Sequence, residues 1–395
     1  MTRRAAGSIA VVGGAGAMGR ITMRDLAETA GDVEIVLADR DLKAAQHVAR
    51  SLPRRVKVVE VDASNPRSLS RTLRGTQVLI NACHHDFNLS VMDAALAMQS
   101  HYCDLGGLFH VTRLQLRRHA TFKRAGLLAL CGIGSAPGIV NVMARAGADR
   151  LDEVHEIHVA VGTRDLTPRT GESLLETSYS LATVLDEASK PAALFTRGAL
   201  RFVPALGLPQ TVDFPKPVGR QSAACTLHSE LATLPRSFAA KGVREVSFRI
   251  AFPGELMGRL RFVHALGLTA TTHVDAGGTS VVPRDVLLAL LARAPRPVMA
   301  GPRDEYEVLR VTVSGTRGRV AETEVLDCHV PGMPAWDLGV DIDTGAPPSI
   351  VAQILLTGDI AARGVLPPEQ VVDPGPFFTA LTARGMRIRR RIHRR

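Results

Sequence analysis

The stretch Ser8-Ile-Ala-Val-Val-Gly-Gly-Ala-Gly-Ala-Met-Gly19 decides the fold of this chain. Its apolar start predicts a strand, and the segment from Ala17 onward has the apolar spacing of a helix. Between them the glycines follow the pattern G-x-G-x-x-G. The first permits a tight turn, the second lets a pyrophosphate approach the backbone, and the third lets the helix pack against the strand. The phosphates of a dinucleotide would then lie at the positive N-terminus of the helix. The predicted contacts of this loop are Gly14, Gly16, Ala17, Met18 and Gly19.

An acidic side chain closes the next predicted strand. Asp39 lies 20 residues after Gly19, at the end of the apolar run Val33 to Ala38. A carboxylate at this position accepts hydrogen bonds from the ribose hydroxyls of adenosine, whereas a 2′-phosphate would meet like charge. Asp39 therefore favours NAD. The neighbouring Arg40 could stack on adenine or neutralise such a phosphate, so NADP stays possible.

The same alternation of short apolar runs and amphipathic segments continues to about residue 135. Strands separated by helices of about 10–15 residues need crossover connections, which predicts a parallel sheet covered on both faces. Asp62 and Ala63 follow the third predicted strand, where an adenine edge would be met. Asn81 and Ala82 follow the fourth, where the chain must pass close to the dinucleotide.

After Pro137 the pattern changes. Longer runs with a period of two, such as His155 to Gly162 and Tyr306 to Val313, predict a mixed α+β domain whose sheet is mostly antiparallel. Helical spacing returns at Ser349 to Arg363 and at Pro376 to Ala383. A chain of 395 residues is long enough for two such domains, each with its own core.

Most of the positive charge is local. The formal net charge is +10, and six arginines after residue 386 supply six of those charges, which leaves an unremarkable +4 for the rest. We expect the tail to be a frayed, solvated terminus and we expect no nucleic-acid partner. The six arginines are Arg387, Arg389, Arg390, Arg391, Arg394 and Arg395.

Two further classes of protein are disfavoured. No run reaches the roughly 18 continuous apolar residues of a membrane span, so no membrane partner is expected. Five cysteines make an odd count without a C-x-x-C pair, which argues against a disulfide framework and for a reducing, cytoplasmic environment.

Four longer segments resemble a known family. Together with the glycine loop, they resemble the saccharopine dehydrogenase group over nearly the whole chain. The segments are HYCDLGGLFHVTRLQL (101–116), GIGSAPGIVNVMA (132–144), TLHSELATLPRSF (226–238) and GVLPPE (364–369). The resemblance implies an α/β fold, namely a Rossmann-type doubly wound parallel sheet with an inserted α+β substrate and oligomerisation domain. It also implies NAD(P)-dependent oxidation at a carbon bearing an amine, a small-molecule amine or amino-acid substrate, and homo-oligomers.

The resemblance also gives domain boundaries. We predict the dinucleotide-binding Rossmann domain at 1–137 and the substrate and oligomerisation domain at 138–345. C-terminal helices at 346–386 would return to the Rossmann domain, and the basic tail would follow at 387–395. One departure from such relatives is the run Cys83-His84-His85, where a proline and an aromatic residue are expected. This run should lie near the nicotinamide, so it bears on the identity of the amine.

Three functions follow as alternatives. The first is oxidation of lysine at its terminal amine to the aldehyde allysine, which cyclises to piperideine-6-carboxylate. The second is a saccharopine-type or carboxynorspermidine-type reductase acting on a secondary amine, which would need another cationic patch for its second substrate arm. The third is a protein that binds a dinucleotide without catalysis.

Amine oxidation needs a base, because an ammonium has no lone pair to push out a hydride and a free ε-amine titrates at about 10.4. His228 is the first candidate, since an ordinary histidine titrates near neutrality. Glu230 would orient His228 or bind the amine. Asp104, after the fifth strand, either holds the substrate ammonium or caps the Gly106-Gly107 turn.

The remaining predicted contacts are with substrate and cofactor. Arg236 is either a partner of a substrate carboxylate or a solvated charge. The predicted substrate contacts are Tyr102, His85, Arg236 and Thr233, and Gly106 is a further predicted cofactor contact. We predict no metal, because the adjacent His84 and His85 cannot both point at one ion from a regular strand or helix.

Overall fold

A parallel sheet of seven strands forms the first half of the fold. The computed structural model describes residues 7–171, 174–175, 180–295 and 297–394. Across the sheet the strands lie in the order β19-β6-β5-β4-β1-β2-β3, and every neighbouring pair is parallel. The edge strand β19 is Gly364–Leu366, near the C-terminus. The elements up to its sixth strand are β1 Ser8–Val12, α1 Ala17–Thr29, β2 Glu34–Asp39, α2 Leu42–Ser51, β3 Lys57–Glu60, α3 Pro66–Thr72, β4 Val78–Asn81, α4 Asn88–Met98, β5 His101–Asp104, α5 Leu108–Leu116, α6 His119–Arg124 and β6 Leu128–Leu130.

A second sheet of nine strands follows. Its main path is β10-β9-β13-β7-β17-β18-β20, with β12 beside β13 and β11 beside β12. Its pairings are antiparallel except that of β13 with β7. The elements of this half are α7 Ile139–Ala148, β7 Glu153–Asp165, β8 Arg169–Thr170, α8 Leu181–Ser189, β9 Ala192–Thr196, β10 Ala199–Val203, β11 Gly207–Asp213, β12 Arg220–Cys225, α9 Glu230–Ser237, β13 Glu245–Ala251, α10 Gly254–Ala265, β14 Val274–Ala276, β15 Thr279–Val281, α11 Pro283–Arg293, β16 Val298–Met299, β17 Glu305–Arg317 and β18 Val320–Val330.

The C-terminal segment contributes to both sheets. Its elements are α12 Ile342–Thr357, β19 Gly364–Leu366, α13 Pro368–Val371, α14 Pro374–Thr382 and β20 Arg387–Arg394. The predicted fold class, a Rossmann-type parallel sheet with a second α+β domain, is confirmed. The sequence predicted helices but no strand between 346 and 386, whereas the short β19 is the edge strand beside β6.

Helix α12 lies against α1. It begins seven residues before the predicted Ser349 and contains two prolines. Its small residues allow it to pack closely against α1. A Cβ atom on Gly345 would lie 2.5 Å from the Cβ of Ile21. The buried Asp25 of α1 binds Arg384 at 2.6 Å and accepts a hydrogen bond from Ser349 at 2.6 Å. These contacts tie the C-terminal segment to the parallel sheet.

The described part of the arginine-rich tail, Arg387–Arg394, is a strand rather than a frayed terminus, so that prediction was wrong there, and Arg395 lies outside the described residues. β20 pairs with β18 along its length, from Arg387 opposite His329 to Arg394 opposite Glu322. Arg394 Nε lies 3.0 Å from a Glu322 carboxylate oxygen, and Arg391 Nη2 lies 2.8 Å from Asp327. The acidic side chains of β18 neutralise the tail, a pairing that its own composition does not reveal.

No helix in the described ranges combines the length and the apolar character that crossing a membrane requires.

Candidate active site

The glycine loop has the geometry that a dinucleotide needs. Gly13 takes the turn, with a φ of +77° and its N–H donating to Ala38 O at 2.8 Å. The tight turn predicted for Gly14 is therefore made by Gly13. A Cβ on Gly14 would lie 2.9 Å from Leu37 Cγ, and one on Gly19 would lie 2.0 Å from Gly13 O. Only glycine lets the helix lie this close to the strand.

Asp39 lies beside this loop. Its Oδ2 accepts a hydrogen bond from Ala15 N at 3.0 Å, which holds the carboxylate next to the phosphate-binding backbone. Arg40 is exposed. Asp62 accepts two hydrogen bonds from Ser64, and these bonds lower the pKa of Asp62. The loop and Asp39 thus fit a pyrophosphate and a ribose, while adenine contacts of Asp62 and Ala63 stay a prediction.

Asp104 is a structural carboxylate, which corrects its predicted contact with substrate. Its side chain is 0% exposed. It accepts hydrogen bonds from Gly106 N at 2.9 Å, Gly132 N at 2.7 Å, Tyr102 Oη at 2.9 Å and Gln115 Nε2 at 2.5 Å. Burial nevertheless raises the pKa of Asp104. Two of these bonds hold the loops after β5 and β6, and the bond from Gly106 N is the turn-capping role that the sequence analysis gave as the alternative.

Two neighbours of Asp104 are likewise buried in this network. The Tyr102 hydroxyl donates a hydrogen bond to Asp104, and Tyr102 does not line the cavity described below. Its predicted contact with substrate was therefore wrong. Asn81 donates to Asn88 at 2.9 Å and accepts from Cys83 N at 3.1 Å. Its side chain shapes the chain turn after β4, and Ala82 faces the cavity instead.

A cavity of about 410 Å³ lies where the parallel sheet meets the second sheet. Ligands of open α/β sheets collect at the carboxyl ends of the strands, at the point where the strand order reverses, here between β1 and β4. Ala17, Met18, Ala82 and Gly106 line the cavity on the cofactor side. The second domain and the C-terminal segment contribute Glu187, His228, Phe248, Glu307, Asp341 and Asp343, among others.

His228 lies between two carboxylates. Its Nδ1 is 2.8 Å from Glu230 and its Nε2 is 3.5 Å from Glu187, while its ring stacks on Phe248 with centroids 3.7 Å apart. Burial alone would lower the pKa of His228, but the charges and hydrogen bonds of Glu230 and Glu187 raise it to about 10. His228 is therefore an imidazolium near neutrality. It cannot be the neutral-pH base that the sequence predicted, because it already carries a proton.

A second pair of acids, Glu307 and Asp343, also lines the cavity. Burial raises the pKa of Glu307, whose Oε2 also accepts from Thr163 at 3.0 Å. Burial and the nearby Glu307 raise the pKa of Asp343 well above its usual range. The two carboxyl groups are hydrogen-bonded to each other. Two hydrogen-bonded carboxyl groups must share a proton, so the pair is not fully ionised near neutrality.

The two histidines after β4 do converge, contrary to the geometric argument made from sequence. They lie on an irregular loop and their ring centroids are 3.9 Å apart. With Asp186, one ligand atom from each lies within 4.8 Å of the others. Asp186, however, already binds Lys190 at 3.0 Å and Arg284 at 2.5 Å. A metal ion would add charge beside two cations, so we do not propose one.

Two predicted substrate contacts lie outside the cavity. Arg236 is exposed on α9, which leaves it the solvated charge that the sequence also allowed. Thr233 is buried and accepts a hydrogen bond from Asn141 at 3.4 Å, in a network that includes Glu369. His85 does line the cavity.

Among the cavity acids that the sequence analysis missed are Glu187, Glu307 and Asp343. Glu187 had a detectable signal, since it stands one turn after Val184 on the apolar face of α8. The other two become neighbours only because β17 and α12 meet in the folded chain.

A Rossmann sheet whose crevice opens onto a cavity of titratable side chains defines a dinucleotide-dependent oxidoreductase. Two family matches give the class more exactly. Residues 9–130 match the saccharopine dehydrogenase NADP binding domain, and residues 134–386 match the saccharopine dehydrogenase C-terminal domain. The chain belongs to the saccharopine dehydrogenase family. It binds NAD(P) and is an oxidoreductase of a family acting on amine groups.

Curated relatives match end to end at low identity. A carboxyaminopropylagmatine dehydrogenase from Synechocystis sp. is 24% identical, with 94% of this chain and 95% of the relative covered. A carboxynorspermidine synthase from Vibrio cholerae is 23% identical, with 94% of each chain covered.

Solved structures show the same fold. The apo saccharopine dehydrogenase (L-Glu forming) of Saccharomyces cerevisiae has a TM-score of 0.72 at 15% identity, covering 98% of this chain and 100% of its own. The homospermidine synthase of Legionella pneumophila, in complex with NAD, has a TM-score of 0.68 at 13% identity, covering 99% and 92%.

Proposed function

We propose that this protein is an NAD(P)-dependent reductase that joins a cationic amine to an aldehyde carrying an amino-acid group, forming a secondary amine. This is the carboxynorspermidine-type alternative from the sequence rather than the oxidation of lysine. The names of the two curated relatives, which refer to carboxylated polyamines, support it.

The observation that carries the proposal is the charge of the cavity. Four carboxyl side chains line it, and no lysine or arginine does so among the described residues. The four are Glu187, Glu307, Asp341 and Asp343. Such a lining suits a substrate with more than one positive charge. Tyr102 and Arg236, the groups predicted to hold the carboxylate of lysine, lie elsewhere.

A carboxylate on the aldehyde partner still needs positive potential. The N-terminus of α8 supplies it, because Glu187 and Glu230 already compensate the His228 imidazolium. Ser180 and Thr183, at the start of that helix, line the cavity. Unpaired N–H groups make a helix N-terminus favourable for an anion. We assign the carboxylate to this side and the amine to the side of Glu307.

The reaction requires a proton acceptor other than His228. An alkylammonium must lose a proton before its nitrogen attacks the aldehyde, and water then leaves to give an iminium. When bound, the nicotinamide supplies the hydride that reduces the iminium carbon. We assign the first proton to His84, which lines the cavity on the loop after β4.

His84 has the properties of a free base. Its Nε2 is buried and has no hydrogen-bond partner in the described ranges. Its Nδ1 lies 3.2 Å from the Asp86 carboxylate and 3.5 Å from Asp86 N. Although Asp86 N can donate to Nδ1, we assign the ring proton to Nδ1, where it donates to the nearer Asp86 carboxylate and leaves the Nε2 lone pair free. Burial, then the neighbouring His85, lower the pKa of His84, although Asp86 and Asp186 oppose them.

The test supplies purified protein with NADH or NADPH, an amino-acid semialdehyde and one amine at a time. We expect loss of reduced nicotinamide that requires both organic substrates, and a larger kcat/KM for agmatine or 1,3-diaminopropane than for butylamine. NADH and ammonia formed from lysine and NAD alone would instead identify a lysine 6-dehydrogenase. Tight NAD(H) binding without turnover across the panel would favour the non-catalytic alternative.

A further inference from the structure

The Glu307 and Asp343 carboxyl groups form a pair at the cavity without a lysine or arginine beside them among the described lining residues. Both line the cavity, on β17 and α12 respectively. Asp343 is 2% exposed, and apart from the proton shared with Glu307 no donor among the described residues reaches its Oδ2. Its Oδ1 accepts from Thr344 at 3.1 Å. Once the shared proton is lost, a buried acceptor oxygen without a donor is costly, so this wall of the cavity favours a ligand that brings N–H groups.

We propose that Glu307 and Asp343 bind the distal ammonium or guanidinium of the amine substrate and release their shared proton when it binds. This inference rests on the proposed function, since it names the part of the amine that the acidic wall recognises. It adds a coupling between binding and protonation. A free pair shares one proton, whereas a cation against it stabilises both carboxylates.

The charged groups around the pair support the assignment. Asp341 is a further acid near Glu307 and raises its pKa, while Thr163 donates to Glu307 and lowers it. Ser135 and Thr344 donate toward Asp343. No lysine or arginine lines the cavity in the described part of the chain, so the charge that would balance two carboxylates must come from the ligand.

Binding of a cation to the pair should release a proton rather than take one up. Burial raises the pKa of both acids, so near neutrality the pair holds a proton that an arriving cation displaces to solvent. The affinity for a diamine should therefore rise with pH until the free pair is ionised, after which it should level off. A monoamine that fills only the reacting end should not show this dependence.

Calorimetry on the protein with bound NAD(P) tests the coupling without turnover. Agmatine is titrated in buffers of different ionisation enthalpy, and butylamine serves as the probe with one charge. We expect about one proton released per agmatine near neutrality and close to none for butylamine. Agmatine bound without proton release, or with equal release for butylamine, would overturn the inference.

Two substitutions and an infrared measurement test whether Glu307 and Asp343 are the groups that bind the cation and release the proton. Glu307→Gln and Asp343→Asn should weaken agmatine about 10- to 100-fold, leave butylamine nearly unchanged and abolish proton release. Asp337→Asn, an exposed carboxyl outside the cavity, is the matched control. If either variant fails to fold, wild-type protein still answers through infrared spectroscopy. Agmatine should remove a protonated-carboxyl band, and a band that persists contradicts the proposal.

Failure of the proposed function is a separate outcome. It appears as absent turnover with aldehyde and amine, which the calorimetric result does not depend on. Agmatine that does not bind at all refutes the inference directly.

Discussion

Replacing His84 by glutamine is the sharpest test of the proposed chemistry. Glutamine keeps a polar side chain at the cavity but cannot accept a proton at neutral pH. A comparison with His228, another histidine of the cavity, shows why His84 is the better base. A pKa of about 10 leaves roughly one His228 side chain in 300 unprotonated at pH 7.5. His84, with its pKa below the ordinary 6.5, is at least about nine-tenths neutral there.

The expected loss follows from general-base catalysis, which is typically worth about 10²–10⁴-fold, or about 3–5 kcal/mol of transition-state free energy. The wild-type kcat/KM should fall only as the pH drops through the lowered pKa of His84. The rate of His84→Gln should instead rise about tenfold per pH unit toward the pKa of the amine, near 10.4. Added imidazole should restore part of the activity.

The assay is steady-state turnover over a range of pH, with whichever of the two amine reactions the wild type performs, because both need an unprotonated nitrogen. NADH binding measured by fluorescence should stay nearly constant. His110→Gln, an exposed histidine on α5 outside the cavity, is the matched control. A His84→Gln enzyme with the wild-type pH profile would refute the assignment, as would nuclear magnetic resonance showing a proton on His84 Nε2.

Three further predictions concern the rest of the structure. Asp39→Ala should weaken NAD binding and lessen the preference over NADP by roughly 1.5–3 kcal/mol, and an unchanged ratio of the two dissociation constants would place the discrimination elsewhere. His228→Asn leaves Glu187 and Glu230 without their buried cation and should lower the free energy of unfolding by about 3–5 kcal/mol. In wild type the contribution of the raised His228 pKa is complete below about 6.5 and is lost as the pH rises through about 10, so denaturant midpoints should show this fall and the variant should not. Ending the chain at Met386 removes β20 and uncovers the buried acids of β18, so thermal unfolding should move to lower temperature, and an unchanged midpoint would mean that the strand contributes nothing.

Local signals in the sequence are sufficient for the first half of the fold. Strands and helices alternate from β1 to β6 as the apolar periodicity predicts, because a strand followed by a glycine turn and a helix is specified within some thirty residues. The loop glycines and Asp39 belong to the same short stretch. The turn itself could be predicted because it is a local feature of the chain, although Gly13 rather than Gly14 adopts the positive φ.

The tertiary structure decided the chemistry of the site. His228 looks like a neutral base in sequence and becomes a cation because it is buried against Glu230 and because α8 brings Glu187 to its other side. In the sequence Asp104 is a carboxylate at the end of a predicted strand, where a substrate could bind. In the structure it accepts hydrogen bonds from four donors in three parts of the chain. Glu307 and Asp343 share a proton only because β17 meets α12. A pKa depends on every charge and dipole within a few ångströms, and such neighbours are set by packing between segments far apart in sequence.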